Sequence, residues 1–170
     1  TFAESVRAHK IADVEVGCFL SSGVDSSYVV KEVSKTADGV KTFSVGYAEE
    51  KYSELPYAQD FSKAVGVPNI SNKVSADDFF GAASIIQYYL DEPMPNPSEI
   101  PLYFLAQNAA KYVKVVLSGE GADELFGGYP MYLAGMHFDH YAHRVPRALR
   151  RAAGAAASKM PAFKGKNFLV

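Results

Sequence analysis

Two short turns carry side chains whose types and spacing could do chemistry. The first is Ser21-Ser-Gly-Val-Asp-Ser26. Its residues are small, so its backbone N–H groups can approach a ligand closely, and such groups at a strand-to-helix turn bind phosphate. The loop has no lysine, which separates it from the Gly-x-x-x-x-Gly-Lys-Ser/Thr loop. It carries Asp25 instead, which would repel a phosphate unless a divalent cation lay between them. The second turn, Ser118-Gly-Glu-Gly-Ala-Asp-Glu-Leu-Phe-Gly-Gly-Tyr129, holds three carboxylates: Glu120, Asp123 and Glu124. Gly119-x-Gly121 is not a dinucleotide fingerprint, because Glu124 stands at the third glycine position. Facing one another, the two turns would make a place for a triphosphate with Mg2+ between acids, since magnesium takes few protein carboxylates plus phosphate oxygens.

The elements that must position these turns follow from periodicity. The apolar run 14–20 reads as a buried strand feeding the first turn, and 25–35 as the helix after it. A β-rich run at 40–45 is closed by Gly46, a helix over 54–65 is stopped by Gly66, and 69–74 is a weaker strand. Helical spacing returns over 77–90. A proline-rich connection, 91–101, opens a helix over 98–111, and 112–117 is a second strongly apolar strand. Residues 1–11 also have mostly helical spacing. Alternating strands and helices predict an α/β fold, an open parallel sheet with helices on both faces joined by right-handed crossovers. The apolar runs at 14–20 and 112–117 predict central strands. Ligands of such sheets bind at the carboxyl ends of strands, where the winding direction reverses. A serine-rich turn alone is usually only a turn, and acids near a helix start are usually surface residues favoured by its dipole. The pairing of two such turns, each after a buried strand, is what carries the reading.

The predicted domains are 1–130, the α/β body, and 131–170, a helical extension rich in alanine and basic residues whose packing partner is missing. With 170 residues, 48% of them apolar, a sizeable core is available. A net charge of −2 gives no reason to expect nucleic acid or an anionic membrane as partner. One cysteine, Cys18, excludes an internal disulfide and fits a reducing, cytoplasmic setting. No apolar run approaches the ~20 residues of a membrane span, and the opening lacks the pattern of a signal peptide. The chain opens without methionine and ends on Phe168-Leu-Val170, so it is expected to be cut from a longer protein. His9, His137, His140 and His143 lack the spacing of a zinc site and are expected at the surface.

At these residues the chain resembles a known family. Ser21-Ser-Gly-Val-Asp-Ser26 is similar to the Ser-Gly-Gly-x-Asp-Ser loop of the N-type ATP pyrophosphatases, the PP-loop superfamily with its adenine nucleotide alpha hydrolase-like fold. The stretch 117–129 resembles the signature of glutamine-hydrolysing asparagine synthetases. Similarity runs from about Val6 to Tyr132 and includes Phe43-Ser-Val-Gly46 and Asp91-Glu-Pro-Met-Pro-Asn-Pro-Ser98. The resemblance implies that aspartate attacks the α-phosphorus of ATP, giving β-aspartyl-AMP and pyrophosphate, and that ammonia then releases asparagine and AMP.

The resemblance also implies roles. Ser21, Ser22, Gly23, Val24, Asp25 and Ser26 would form the pyrophosphate loop. Asp25 and Asp123 would be Mg2+ ligands. Leu20 and Val45 would meet adenosine, largely through backbone, and Ser118 and Gly119 would lie against the nucleotide. Glu120 and Asp123 would be the catalytic acids, Glu120 near the reacting carboxylate and ammonia. Glu124 divides evenly between a structural and a catalytic role, Tyr129 would pack the loop, and 96–103 would border the aspartate pocket. The implied partners are ATP, aspartate, ammonia and the glutaminase domain of the parent chain, with neither nucleic acid nor membrane; a homodimer is left open. Two departures stand out. Ser22 replaces a glycine, which strains the loop if that position needs a positive φ. The family's later lysine has no counterpart motif around Lys159, Lys164 or Lys166, so the isolated chain is expected not to make asparagine efficiently. The alternatives are another carboxylate-activating amidating enzyme, such as a β-lactam synthetase, or a nucleotide-binding module without chemistry.

Overall fold

Three valines spaced for one helix face, Val29, Val30 and Val33, are buried against the strand that precedes them, and around this contact the sheet is built. A computed structural model of the protein describes residues 1–36, 39–93, 96 and 98–158. In chain order the elements are α1 (Phe2–His9), β1 (Val16–Phe19), α2 (Val24–Ser34), β2 (Thr42–Tyr47), α3 (Leu55–Val65) and β3 (Asn69–Val74). They continue with α4 (Ala76–Leu90), α5 (Glu99–Ala109), β4 (Val115–Leu117), α6 (Ala122–Phe126), α7 (Pro130–Arg144) and α8 (Arg147–Ser158). A short 3-10 turn, Glu50–Tyr52, precedes α3. The chain forms two compact units that divide between Glu120 and Gly121.

The first unit is an α/β fold with a four-stranded sheet in the order β3-β2-β1-β4, every pairing parallel. Register pairs Cys18 with Thr42 and Leu117, and Phe19 with Phe43. Because strand side chains alternate, Cys18 and Leu117 point to one face, where α1, α2 and α3 cover them. Phe19, Phe43, Ile70 and Val116 point to the other, against Leu105 and Ala109 of α5. Helix α4 packs on α5 through Ala82, Ile86 and Ile100. Helices therefore cover both faces, as expected.

One expectation fails. The apolar run at 112–117 predicts a central strand. It is an edge strand of three residues, each only half-buried, and β2 takes the central place beside β1. A run of valines cannot distinguish an inner strand from an edge strand whose faces are covered by helices. Gly46 also does not close β2. It lies inside the strand, where a Cβ would strike the side chains of Ser53 and Leu55, so its missing side chain lets the next turn fold back onto the sheet.

Polar side chains also fix the register. Ser44 Oγ donates to the Leu20 carbonyl at 2.6 Å, and Thr42 Oγ1 donates to the Pro68 carbonyl at 2.9 Å. The Asn69 amide nitrogen donates to both hydroxyls, at 3.0 and 2.8 Å. Local caps set the helix ends. Gly66 ends α3 in the left-handed region at φ 74°. Ser75 and Asp78 form a reciprocal capping box at the start of α4. The second unit contributes α6, α7 and α8, and within 131–158 the residues 131–144 and 147–158 are helical. Residues 94, 95 and 97 of the proline-rich connection lie outside the described residues, as do Lys159, Lys164 and Lys166.

Candidate functional site

Strand β1 lies between β2 and β4, so the chain winds one way from β1 to β2 and β3, then crosses back to β4. The reversal falls between the carboxyl ends of β1 and β4, the two strands that feed the two turns. β1 and β4 are paired neighbours, so the serine loop and Ser118–Glu120 leave adjacent strand ends. Gly119 confirms how close the exits come. A Cβ there would lie 2.8 Å from the Ser26 nitrogen and 3.1 Å from Asp25 Cβ. The backbone after β4 thus runs against the first turn of α2 at a spacing only glycine permits.

Within the serine loop the amides are not bare, contrary to the reading from residue size. The Ser21 N–H donates to Ser26 Oγ at 3.1 Å, and the Gly23 N–H to Ser21 Oγ at 3.1 Å. The Ser22 N–H donates to Glu54 Oε2 at 3.2 Å. Ser26, only 9% exposed, links the loop: its hydroxyl lies 2.9 Å from Ser21 Oγ and donates to the Gly23 carbonyl at 3.2 Å. Small side chains that expose a backbone also carry hydroxyls short enough to fold back on it. The amides of Val24, Asp25 and Ser26 open α2, where the helix itself supplies no acceptor. Asp25 is half-buried in that first turn.

The departure at Ser22 costs nothing in backbone strain. Among the described residues Asp91 is the only non-glycine with positive φ. Gly23 likewise is extended at φ −70° as the N-cap of α2, and its role is room beside Ser21 Oγ, 3.2 Å from where a Cβ would stand. Leu20 is buried, and its backbone is engaged on both sides, its N–H on the Phe43 carbonyl and its own carbonyl with Ser44 Oγ. Val45 is half-buried near the end of β2. Ser118 and Glu120 are exposed, and the Glu120 N–H donates to Ser118 Oγ at 3.3 Å.

Asp123 and Glu124 belong to the second compact unit. The Gly128 N–H donates to the Asp123 carbonyl at 3.0 Å, and a Cβ on Gly128 would run into the Asp123 carboxylate. Gly128 therefore clears space for that acid, while Gly127 ends α6 in the left-handed region at φ 72°. Tyr129 donates its hydroxyl to Glu124 Oε1 at 2.8 Å, which ties Glu124 to the loop's own packing. The 96–103 border expected for an aspartate pocket includes Pro97, outside the described residues. His9, His137, His140 and His143 are exposed. No cluster of three metal-ligating side chains occurs among the described residues. Sequence reasoning missed Glu54: nothing in its spacing connects it to the serine loop, because the contact depends on the side-by-side placement of β1 and β2.

Fold and site together define an α/β protein with a serine-rich strand-to-helix loop at the switch point of a parallel sheet. Residues 1–167 match the family described as asparagine synthase, and the chain belongs to that family. It is 40% identical over 167 residues to glutamine-hydrolyzing asparagine synthetase 1 of Bacillus subtilis, covering 98% of this chain and 26% of that protein. It is 26% identical over 162 residues to the glutamine-hydrolyzing asparagine synthetase B of Escherichia coli, covering 85% of this chain and 27% of the relative. The chain spans about a quarter of the length of such relatives. The solved NH3-dependent NAD synthetase of Campylobacter jejuni superposes with a TM-score of 0.49 at 17% identity, over 75% of this chain and 57% of that one.

Proposed function

We propose that this chain activates aspartate with ATP and prepares it for amidation to asparagine. The serine loop at the β1–α2 turn is the observation that carries the reading, placed at the switch point with the exit of β4 against its helix. In the proposed sequence the side-chain carboxylate of aspartate attacks the α-phosphorus of ATP, a P–O bond forms, and pyrophosphate leaves with the bridging electron pair. Ammonia then attacks the acyl carbon of the resulting adenylate, loses a proton and expels AMP. The Val24, Asp25 and Ser26 amides at the start of α2 suit the leaving pyrophosphate, since a helix N-terminus stabilises negative charge. Ser21 and Ser22 offer hydroxyls beside it. Positioning and charge neutralisation of this kind supply most of the catalysis in phosphoryl-type transfer.

The proposed magnesium ligands are Asp25 and Asp123. Carboxylate oxygens are the donor type Mg2+ takes alongside phosphate oxygens, and bound there it would offset phosphate charge. Glu120 is the proposed acid near the reacting carboxylate and ammonia. The glutaminase domain implied by the relatives' glutamine-hydrolyzing names is the proposed ammonia source. The cytoplasm is the proposed compartment; no helix among the described residues is long and apolar enough to cross a membrane.

The test is aspartate-dependent pyrophosphate release by the full-length protein with Mg2+, ATP and ammonia, with asparagine measured in parallel. Asp25→Ala is expected to lower the rate by about 100-fold or more. Pyrophosphate release that ignores aspartate but responds to another carboxylic acid would replace the substrate. ATP binding without any release would reduce the protein to a nucleotide-binding module.

A further inference from the structure

We propose that Glu54 is the resident anion of the serine loop, a carboxylate seated on the Ser22 N–H where a phosphate oxygen has to go, so that pyrophosphate binds by displacing it. The inference rests on the phosphate-loop reading above. Three loop amides have side-chain acceptors, and two of these acceptors, Ser26 Oγ and Ser21 Oγ, are neutral hydroxyls within the loop. Only Ser22 donates to a charged group, and that group comes from 32 residues away, at 3.2 Å. A carboxylate on a backbone N–H of an anion loop presents the same acceptor and the same sign of charge as a phosphate oxygen.

Other duties do not account for the Glu54 side chain. It stands at the N-cap of α3 but makes no side-chain capping bond. It forms no ion pair among the described residues. Its backbone, in contrast, is firmly placed. Leu55 is 4% exposed, and the Ser53 and Leu55 side chains press into the space left by the missing Cβ of Gly46. The turn after β2 thus holds one acid over the turn after β1. This acid keeps the Ser22 N–H directed at an acceptor. An arriving phosphate meets both a filled donor and a like charge.

The experiment titrates metal-free inorganic pyrophosphate, and separately Mg2+ with ATP, into the protein and its Glu54→Gln and Asp25→Ala variants. Glu54→Gln keeps the shape and removes the charge. It is expected to bind metal-free pyrophosphate about 10-fold tighter than wild type, roughly the worth of one hydrogen bond to a charged group. The Ser22 amide resonance of the ligand-free protein is expected to shift in the same variant, which reports the contact without any ligand. Unchanged pyrophosphate affinity, or an unmoved Ser22 resonance, overturns the proposal. Weaker Mg2+–ATP binding with unchanged pyrophosphate binding overturns it in favour of Glu54 as a metal ligand. Wild-type binding that Asp25→Ala alters while Glu54→Gln does not would leave the loop reading standing and the inference dead. Binding of neither ligand by any form would remove both.

Discussion

Single atoms decide the shape of the serine loop. Ser26 Oγ accepts the Ser21 N–H, lies beside Ser21 Oγ and donates to the Gly23 carbonyl. Ser26→Ala leaves a half-buried N–H without its acceptor, and the expected loss is about 1–2 kcal/mol of stability with weaker ATP binding. An unchanged denaturant midpoint together with unchanged ATP affinity would refute that. Gly119 is the second such point. Gly119→Ala places a methyl group 2.8 Å from the Ser26 nitrogen, and backbone on both sides cannot yield as a flexible side chain would. The expected cost is about 1–3 kcal/mol, with ATP affinity falling in step. A crystal structure of the variant with the loop unmoved would show that the backbone contact has room for a methyl group. The serine and aspartate types at these positions were readable from the sequence because their chemistry is local. The work Gly119 does was not, because its neighbours lie some ninety positions earlier in the chain. The structure gives Gly119 a packing duty against α2.

At the scale of elements, local signals were read well where the chain supplies its own punctuation. Gly66 ends α3 with a left-handed residue, and the weak strand 69–74 keeps its expected bounds as β3. The Ser75–Asp78 box starts α4 one residue earlier than periodicity suggested. The Ser75 hydroxyl and backbone N–H, in that order, hold the Asp78 carboxyl below its ordinary titration range. A lowered folded-state value stabilises the fold above the ordinary carboxylate range, and the gain disappears as pH falls through the lowered range. Thermal melts from neutral to acid pH are expected to converge for wild type and Ser75→Ala at the acid end and to separate towards neutrality. Parallel curves across the range would count against the box. The failures are equally physical. Gly46 looked like a stop, since sequence alone cannot show that a neighbouring turn needs its missing side chain. The place of β4 at the sheet edge depends on strand order, which a single chain's periodicity does not encode.

For the whole molecule, Cys18 is a built-in reporter. It sits at 0% exposure between β2 and β4, beneath α2, in the larger cluster of the sheet. Burial pushes its thiol up to about 12, with Lys10 drawing it slightly back. A raised folded-state value means the unfolded chain releases this proton first. Stability is then complete below the ordinary thiol range and declines as pH rises from about 8.5 towards about 12. Cys18→Ala is expected to flatten that alkaline decline at some cost in packing. Labelling of the thiol by an alkylating reagent at pH 8 is expected to proceed no faster than global unfolding. Rapid labelling of folded protein would show that the cluster opens locally.

The hydroxyl–amide contacts among Ser44, Thr42 and Asn69 carry a final implication. Grease tolerates sliding; this lattice of donors and acceptors does not. Shift β3 by one position and Asn69 turns to the opposite side, abandoning both hydroxyls at once. Ser44 also grips the carbonyl of Leu20, the last residue before the serine loop. A mispaired sheet would therefore misplace the loop as well, so correct assembly of the strands and a correctly set serine loop arrive as one event.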